Sequence, residues 1–238
     1  MKKLGFLLGF SFLTLFISCT TNDIECLRVS DRVVSETRDL KNFNGVAFNH
    51  VGDVLITQGP EYAFNITGPE NVVELTTTSI ENNLLVIGSD ACFNGTYDLT
   101  IEITAPEYTR ISLVGIGDIK SVGPIEATNI TMEMVGIGKI DVNIAADTLT
   151  TTIAGTGDVV YSGAVIKHDI SCAGTYELNA YSLETENTYI QLSGIGDGYV
   201  KANQLLDVTI SGTGNVYYKG SPDITSNIVG TGSVINRN

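Results

Sequence analysis

Apolar and polar residues alternate along most of the chain, and the alternation restarts at regular intervals around a Gly-x-Gly motif. Six copies and one degenerate copy of this motif occur, with successive first glycines 18 to 21 residues apart. The first glycines are Gly115, Gly136, Gly155, Gly174, Gly194, Gly212 and Gly230. Period-two alternation is typical of β-strands, and a repeat of about this length is typical of a solenoid in which each repeat forms one coil.

Two positions of the repeat are apolar in almost every copy. Two residues before the first glycine stand Leu113, Met134, Ile153, Cys172, Leu192, Ile210 and Ile228. Four residues after it stand Ile119, Ile140, Val159, Leu178, Gly198, Val216 and Val234. If each coil stacks on the preceding one, both sets form continuous apolar ladders inside an all-β, parallel β-helix. At about 4.8 Å per coil, the stack is predicted to be a rod roughly 30 Å long. The glycines are expected at a sharp corner of every coil, where a side chain would not fit.

The chain before the first regular repeat alternates in a similar way without Gly-x-Gly motifs. Residues 33–110 are therefore predicted to form irregular first coils that cap the N-terminal end of a regular solenoid of residues 111–238. A separate β domain is the alternative for this region. A short helix is predicted only from Pro69 to Leu75, because a proline and an acidic residue open that segment.

The N-terminus has the three parts of an export signal. Lys2 and Lys3 precede an apolar run, and Ser18 provides a small residue before Cys19. The run is shorter than the roughly 20 apolar residues that a membrane-spanning helix needs. The last four residues of this segment, 16–19, resemble the lipobox of bacterial lipoproteins. That resemblance implies removal of residues 1–18 and lipidation of Cys19. Residues 19–32 are predicted to form an N-terminal tether.

The residue after Cys19 is Thr20 rather than aspartate. Under the rule for the lipoprotein family, this indicates an outer-membrane lipoprotein, which can face the surface or the periplasm. An ordinary secretory signal with an incidental cysteine is the alternative.

Segments in the N-terminal part carry a family resemblance together with the coils. Phe43-Asn44-Gly45-Val46, residues 52–59 and residues 80–87, followed by the Gly-x-Gly repeats, resemble the putative auto-transporter adhesin, head GIN domain family. The resemblance covers about residues 33–235. It implies a right-handed β-helix on lipoproteins of Gram-negative bacteria, with no established activity. This chain departs from the pattern at Tyr176, where the second glycine of one repeat is lost, so the corner of that coil is expected to differ.

The charge of the chain excludes one class of partner. The chain has 27 acidic residues, and without Lys2 and Lys3 it retains 11 of its 13 basic ones. Such an acidic surface repels phosphate backbones, so nucleic acid is not expected to bind.

Sequence motifs for catalysis are missing. His50 and His168 are the only histidines and lie far apart in the sequence, and no arginine occurs between Ile111 and Asn236. No HExxH or paired-cysteine metal motif occurs, and the glycine motifs belong to the repeat rather than to nucleotide-binding turns. We therefore predict no enzyme activity, no cofactor and no metal site.

The remaining cysteines have different predicted roles. Cys172 falls in an inward column, so it is predicted to be a small buried apolar residue. Cys26 and Cys92 are then available to form a disulfide, which an oxidising envelope compartment permits. Their spacing does not establish that their Cα atoms are close enough to be bridged.

Three acidic residues occupy the third position after the first glycine in consecutive coils: Asp158, Glu177 and Asp197. Stacked coils could place their carboxylates about 5 Å apart, which is the separation of a retaining glycosidase pair, and stacked acids can also hold calcium. The alternative is that these are outward turn residues, where Asp and Asn are favoured because their side chains bond to the backbone.

Two tyrosines occupy the fifth position after the first glycine in adjacent coils. Tyr199 and Tyr217 are candidate contacts for a glycan or protein ligand, because paired tyrosines on a sheet could stack on sugars or join a partner protein. Tyrosine is also a common strand residue, so the pair is equally well explained by β propensity.

The sequence thus predicts a non-catalytic cell-envelope lipoprotein, held to the membrane by its lipid and acting in adhesion as a glycan- or protein-binding module. One alternative is a carbohydrate-active β-helix enzyme, either a glycoside hydrolase or a polysaccharide lyase, that works through Asp158, Glu177 and Asp197. The other alternative is a purely structural envelope component.

Overall fold

The computed structural model of the protein describes residues 26–238. The predicted export signal, the lipidation site at Cys19 and the first part of the predicted tether lie outside the described residues.

The described chain is nearly all β and forms a solenoid of about seven turns, which confirms the predicted fold class. The N-terminal strands are β1 (Leu27–Arg28), β2 (Val33–Thr37), β3 (Gly45–Asn49), β4 (Asp53–Gln58), β5 (Ala63–Pro69), β6 (Thr76–Glu81), β7 (Leu84–Ser89), β8 (Phe93–Asn94) and β9 (Thr100–Ala105). The short helix α1 (Glu70–Leu75) lies between β5 and β6. The coils contain β10 (Arg110–Leu113), β11 (Ile116–Met134), β12 (Ile137–Ile153), β13 (Thr156–Cys172), β14 (Thr175–Leu192), β15 (Ile195–Ile210), β16 (Val216–Lys219), β17 (Asp223–Ile228) and β18 (Val234–Asn236).

Each long strand from β11 to β15 follows one coil and pairs in parallel with the strand of the next coil. The register aligns equivalent positions of the repeat: Gly117 pairs with Gly138, and Ile153 pairs with Cys172. Because parallel pairing brings the same repeat position of every coil to the same side, the periodicity of the sequence becomes a set of columns along the rod.

The predicted inward columns form the core. Both columns are buried from the first regular coil to Ile210 and Val216. The last coil is different, because Ile228 is 42 % exposed and Val234 is only partly buried. The prediction that Ile228 is buried was therefore wrong. It lies on β17, which pairs with β15 on one side, so the next coil that would cover it is missing from the described chain.

The corner glycines are required by close approach between coils. A Cβ atom at Gly138 would overlap the carbonyl oxygen of Gly117 in the preceding coil, and the φ of Gly138 is +144°. Tyr176 takes the equivalent place in the divergent coil without a positive φ, and its side chain is buried. The corner of that coil therefore differs, as expected.

The region before the repeats continues the same sheet. β10 pairs in parallel with β3, and β11 pairs in parallel with β4. Antiparallel strands then close this end of the stack: β5 pairs with both β2 and β9, and β6 pairs with β7. The strands that precede the repeats therefore differ from the coils, because they include antiparallel pairs.

The predicted helix is present at Glu70–Leu75, directly after Pro69 at its N-cap. The helix packs against β5 and β2, with Val72 and Val73 buried, while Glu70 lies in the first turn, where a negative charge is favourable. Within residues 26–238, no helix has the length and hydrophobicity needed to cross a membrane.

Candidate functional site at the C-terminal coils

The predicted contact residues share one outward face of the solenoid. The fourth position after the first glycine is inward, so the third and fifth positions project outward together. Asp158 pairs with Glu177, and Glu177 with Asp197, on β13 to β15. We call these three residues the acid column. Tyr199 pairs with Tyr217 on β15 and β16, in the neighbouring column.

Part of the acid column holds neighbouring coils together. Asp197 Oδ1 accepts hydrogen bonds from the backbone N–H of Asn215, at 2.7 Å, and from the side-chain amide of Asn215, at 3.3 Å. Asn215 Oδ1 in turn accepts from the backbone N–H of Ser233, at 3.1 Å. The same contact occurs at the other end of the stack, where Asp118 Oδ1 accepts from the backbone N–H of Lys139. Side-chain to backbone bonding is the reason that Asp and Asn suit this turn position.

The two predicted tyrosines belong to a longer aromatic row. The rings of Tyr199 and Tyr217 stack with centroids 5.0 Å apart and planes 11° apart. Tyr181 lies edge-on to Tyr199, with centroids 5.4 Å apart. All three side chains are half-buried. We call Tyr181, Tyr199 and Tyr217 the tyrosine ladder.

Two cations lie against this ladder. The ammonium of Lys219 is 4.5 Å from the ring centroid of Tyr181, and the guanidinium carbon of Arg237 is 5.0 Å from that of Tyr217. Both distances are within the range of cation–π attraction. Tyr199 stacks on one face of the Tyr217 ring, which leaves the other face for the guanidinium of Arg237. Both faces of the Tyr217 ring are thus engaged within the protein, so at this residue a partner would meet the ring edge, the hydroxyl group and the cation.

The surroundings change how readily the tyrosines ionise. Partial burial raises the pKa of Tyr181 and of Tyr199 above its ordinary value, and the nearby carboxylates of Asp197 and Glu177 add to the effect at Tyr199. Arg237 acts in the opposite direction on both tyrosines. The phenols therefore stay protonated at neutral pH and can donate hydrogen bonds.

Sequence reasoning missed Tyr181, Lys219 and Arg237. Tyr181 follows Ala180, where the pairing of β14 with β15 shifts register, so it does not share the repeat position of the other tyrosines. The cations could have been found from the sequence, since Lys201, Lys219 and Arg237 are spaced 18 residues apart, as the last coils are.

The two histidines are separated in the structure and lie apart from the acid column. His168 is fully buried inside the solenoid, whereas His50 lies in the N-terminal part. The backbone N–H of Val51 donates to His50 Nδ1, and Thr76 Oγ1 lies 3.3 Å from its Nε2. Burial lowers the pKa of His50. Among residues 26–238, no cluster of three His, Cys, Asp or Glu residues is arranged to hold a metal ion.

The structure joins Cys26 to Cys92, with an S–S distance of 2.01 Å and a Cα–Cα distance of 4.6 Å. Cys172 is a buried free thiol in the core, and burial raises its pKa to about 12. A shallow depression of about 410 Å³ lies beside the disulfide, lined partly by Phe93 and Tyr97. None of the predicted ligand contacts lines this depression.

The chain is similar to proteins that are described as putative adhesins. A family model described as "Putative auto-transporter adhesin, head GIN domain" matches residues 42–222. A search of curated proteins finds no match.

Solved structures share the fold over most of the chain. A putative adhesin from Bacteroides fragilis is 26% identical, with a TM-score of 0.86 over 89% of this chain and 100% of that one. A putative lipid binding protein from Parabacteroides distasonis is 20% identical, with a TM-score of 0.71 over 90% of this chain and 100% of that one. A putative adhesin from Parabacteroides merdae is 19% identical, with a TM-score of 0.65 over 89% of this chain and 99% of that one.

Proposed function

Because the chain belongs to the putative auto-transporter adhesin, head GIN domain family, we propose that it is a non-catalytic envelope lipoprotein that binds glycans or proteins in adhesion. The tyrosine ladder is its contact surface. Cys19 carries the lipid that anchors it to the outer membrane of a Gram-negative bacterium, where it faces the surface or the periplasm.

The observation that carries this proposal is the alignment of three tyrosines across consecutive coils of a rigid rod. Tyrosine is enriched at binding surfaces because its ring supplies contact area at little conformational cost while its hydroxyl group bonds to the partner. The coils already hold these rings in place, so binding does not require them to be ordered.

The alternative of a carbohydrate-active enzyme has less support. A general acid usually depends on a buried environment that keeps its carboxyl group protonated, whereas the Asp158 and Glu177 side chains are exposed. Asp197, the third member of the acid column, is engaged with Asn215 of the next coil. This contact favours a structural role for Asp197.

A glycan-array screen of the purified mature protein tests the proposal. We expect wild-type protein to bind at least one glycan and the Tyr199→Ala/Tyr217→Ala variant to bind it about tenfold more weakly, because the ring edges and phenol hydroxyl groups that the ladder presents are lost. Tyr189→Ala is the matched control. Tyr189 is also half-buried on a coil, but it pairs with Asp169 and Asp207 in a different column.

The enzyme alternative is tested with the same protein on the polysaccharides that bind, with and without calcium. Asp158→Asn/Glu177→Gln removes both exposed carboxylates while keeping the Asp197 contact with Asn215. We expect this variant to bind as the wild type does, and neither protein to cleave the polymer. Cleavage by the wild type that disappears in the variant would contradict the non-catalytic proposal.

A further inference from the structure

We infer that the tyrosine ladder, together with Lys219 and Arg237, recognises acidic glycans that contain uronic acid units. This inference rests on the proposed binding role of the same face and adds the chemical class of the ligand.

The cations of the last coils lie in line along the stack. Lys201 pairs with Lys219 in the register of β15 and β16, and the backbone N–H of Arg237 bonds to the carbonyl oxygen of Tyr218, one residue before Lys219. Three cations therefore follow one another on consecutive coils beside the tyrosines. Lys201 forms an ion pair with Glu184. Neither Lys219 nor Arg237 has a carboxylate partner within ion-pair distance among residues 26–238, so both can bind an external anion.

The last coils carry fewer acidic residues than the rest of the chain. The acid column ends at Asp197, and the next two coils carry the neutral residues Asn215 and Ser233 at the same position. Residues 198–238 contain one more basic than acidic residue, although the whole chain has a net charge of −14. Lys219 and Arg237 therefore lie where the acid column has given way to neutral residues, and an anionic ligand meets less repulsion there than beside Asp158, Glu177 and Asp197.

The chemical groups of the tyrosine ladder, Lys219 and Arg237 suit a sugar that carries a carboxylate. Because Tyr199 and Arg237 engage the faces of Tyr217, a sugar ring cannot stack on them without displacing one of the two. The available groups are phenol hydroxyls, an ammonium and a guanidinium. A guanidinium binds a carboxylate through paired, charge-assisted hydrogen bonds, and phenols can bond to sugar hydroxyls. A uronic acid unit offers both kinds of partner.

The size of the patch favours a glycan over a protein. Tyr181 and Tyr217 are two coils apart, which is about 10 Å along the rod. The patch is one row of three tyrosines with two cations beside it. A short run of sugar units matches it better.

The test compares two polymers with the same sugar backbone, one with free carboxylates and one with neutral methyl esters in their place. Polygalacturonate carries a carboxylate on each sugar, and its fully methyl-esterified form carries none. We expect the mature protein to bind polygalacturonate at least tenfold more tightly at low salt, and this preference to shrink as salt screens the charges. In Lys219→Gln/Arg237→Gln the preference for polygalacturonate over its ester should fall to about twofold or less, because the two cations that would bind its carboxylates are gone.

Lys167→Gln is the control, because Lys167 also lies over a tyrosine ring, 5.0 Å from the centroid of Tyr189, but in a different column. It should keep the preference. Thermal unfolding of each variant verifies that it is folded, and the single variant Lys219→Gln provides a second measurement if the double variant is not.

Three outcomes would overturn the inference: equal binding of the two polymers by wild-type protein, an unchanged preference in the double variant, or binding of double-stranded DNA as tight as that of polygalacturonate. The last outcome would indicate attraction to any polyanion. The proposed function is judged separately. Glycan-array binding that is lost in Tyr199→Ala/Tyr217→Ala supports it even if neither polymer binds, whereas the absence of any bound glycan counts against both.

Discussion

At the scale of single residues, the least ordinary group in the core is a histidine. His168 is fully buried, and its Nε2 lies 2.9 Å from Thr151 Oγ1. Thr151 donates to the hydroxyl of Tyr161, so the neutral ring of His168 can donate from Nε2 to Thr151. Nδ1 then has no hydrogen-bond partner among the described residues. A charged imidazole would be poorly solvated here, and burial lowers the pKa of His168 to about 3.

This shift makes stability depend on pH. Between the ordinary histidine pKa near 6.5 and about 3, the unfolded chain holds a proton at His168 that the folded chain lacks. The free energy of unfolding therefore falls as the pH falls through this range, by up to about 1.4 kcal/mol per pH unit. In His168→Gln that contribution should be missing, so the variant should lose less stability than wild type between pH 6.0 and 4.5.

Denaturant unfolding at several pH values measures this difference. Carboxylates and His50 titrate in both proteins, so their contributions largely cancel when the two slopes are subtracted. Equal slopes would show that His168 titrates in the folded protein much as it does in the unfolded chain.

At the scale of elements, the corner of each coil limits what the repeat tolerates. Gly138→Ala places a methyl group against the backbone of Gly117 and forces a side chain onto a positive φ. Backbone cannot move aside as a flexible side chain would, so we expect a loss of about 3 kcal/mol or more in the free energy of unfolding. Gly88→Ala is the control, because its nearest atoms are at ordinary contact distance, with Asn49 O at 3.5 Å.

Denaturant unfolding of the two alanine variants separates the effect of the corner from the general effect of losing a glycine. We expect Gly88→Ala to change stability by less than about 1 kcal/mol. A similar small change in Gly138→Ala would mean that neighbouring coils can separate at the corner at little cost.

The coils were predictable because one strong regularity, alternation around a repeated glycine, sets both the inward residues and the stacking register. Features that depend on a break in this regularity were not. Tyr181 was missed because β14 shifts register after Ala180. The exposure of Ile228 depends on a neighbouring strand being absent, which the composition of its own coil does not reveal. The antiparallel pairing of β5 with β2 likewise has no counterpart in the repeat.

For the candidate site, the positions of the columns could be predicted from the sequence, but the contacts between side chains could not. The columns of Asp158 and Tyr199 follow from counting along the repeat, because parallel register preserves the count. The engagement of the ring faces does not follow from it. That feature depends on the rotamers of Tyr217 and Arg237, which bring together residues that are 20 positions apart in the sequence.

At the scale of the whole molecule, the first described residue and the proposed contact surface lie at opposite ends of the stack. Cys26 is bonded to Cys92 beside the N-terminal coils, whereas Tyr199 and Tyr217 lie near the last ones. A lipid on Cys19, as proposed above, would attach the molecule on the side of its N-terminal coils, and the proposed binding face would then point away from the membrane.

The anchor itself can be tested by Cys19→Ser. Acyl chains contribute about 0.8 kcal/mol for each buried methylene group, so their loss should move the protein from the membrane fraction to the soluble fraction. Fractionation, together with the mass of the intact N-terminal peptide, measures this. Wild-type protein that remains in membranes with no lipid on Cys19 would contradict the proposed anchor.

The parallel stacking of the coils also determines how the molecule would respond to force. The hydrogen bonds between strands run along the rod, so tension between a membrane anchor and a captured ligand acts directly on every coil-to-coil ladder in series. The ladder next to Arg237 is short, since β18 pairs with β16 only through Val234–Asn236. Arg237 is carried by this terminal coil, so a pulled ligand would lose the guanidinium first and still be held by Tyr199 and Tyr217. The ligand would then detach from the protein in steps, losing one contact after another as the force increases.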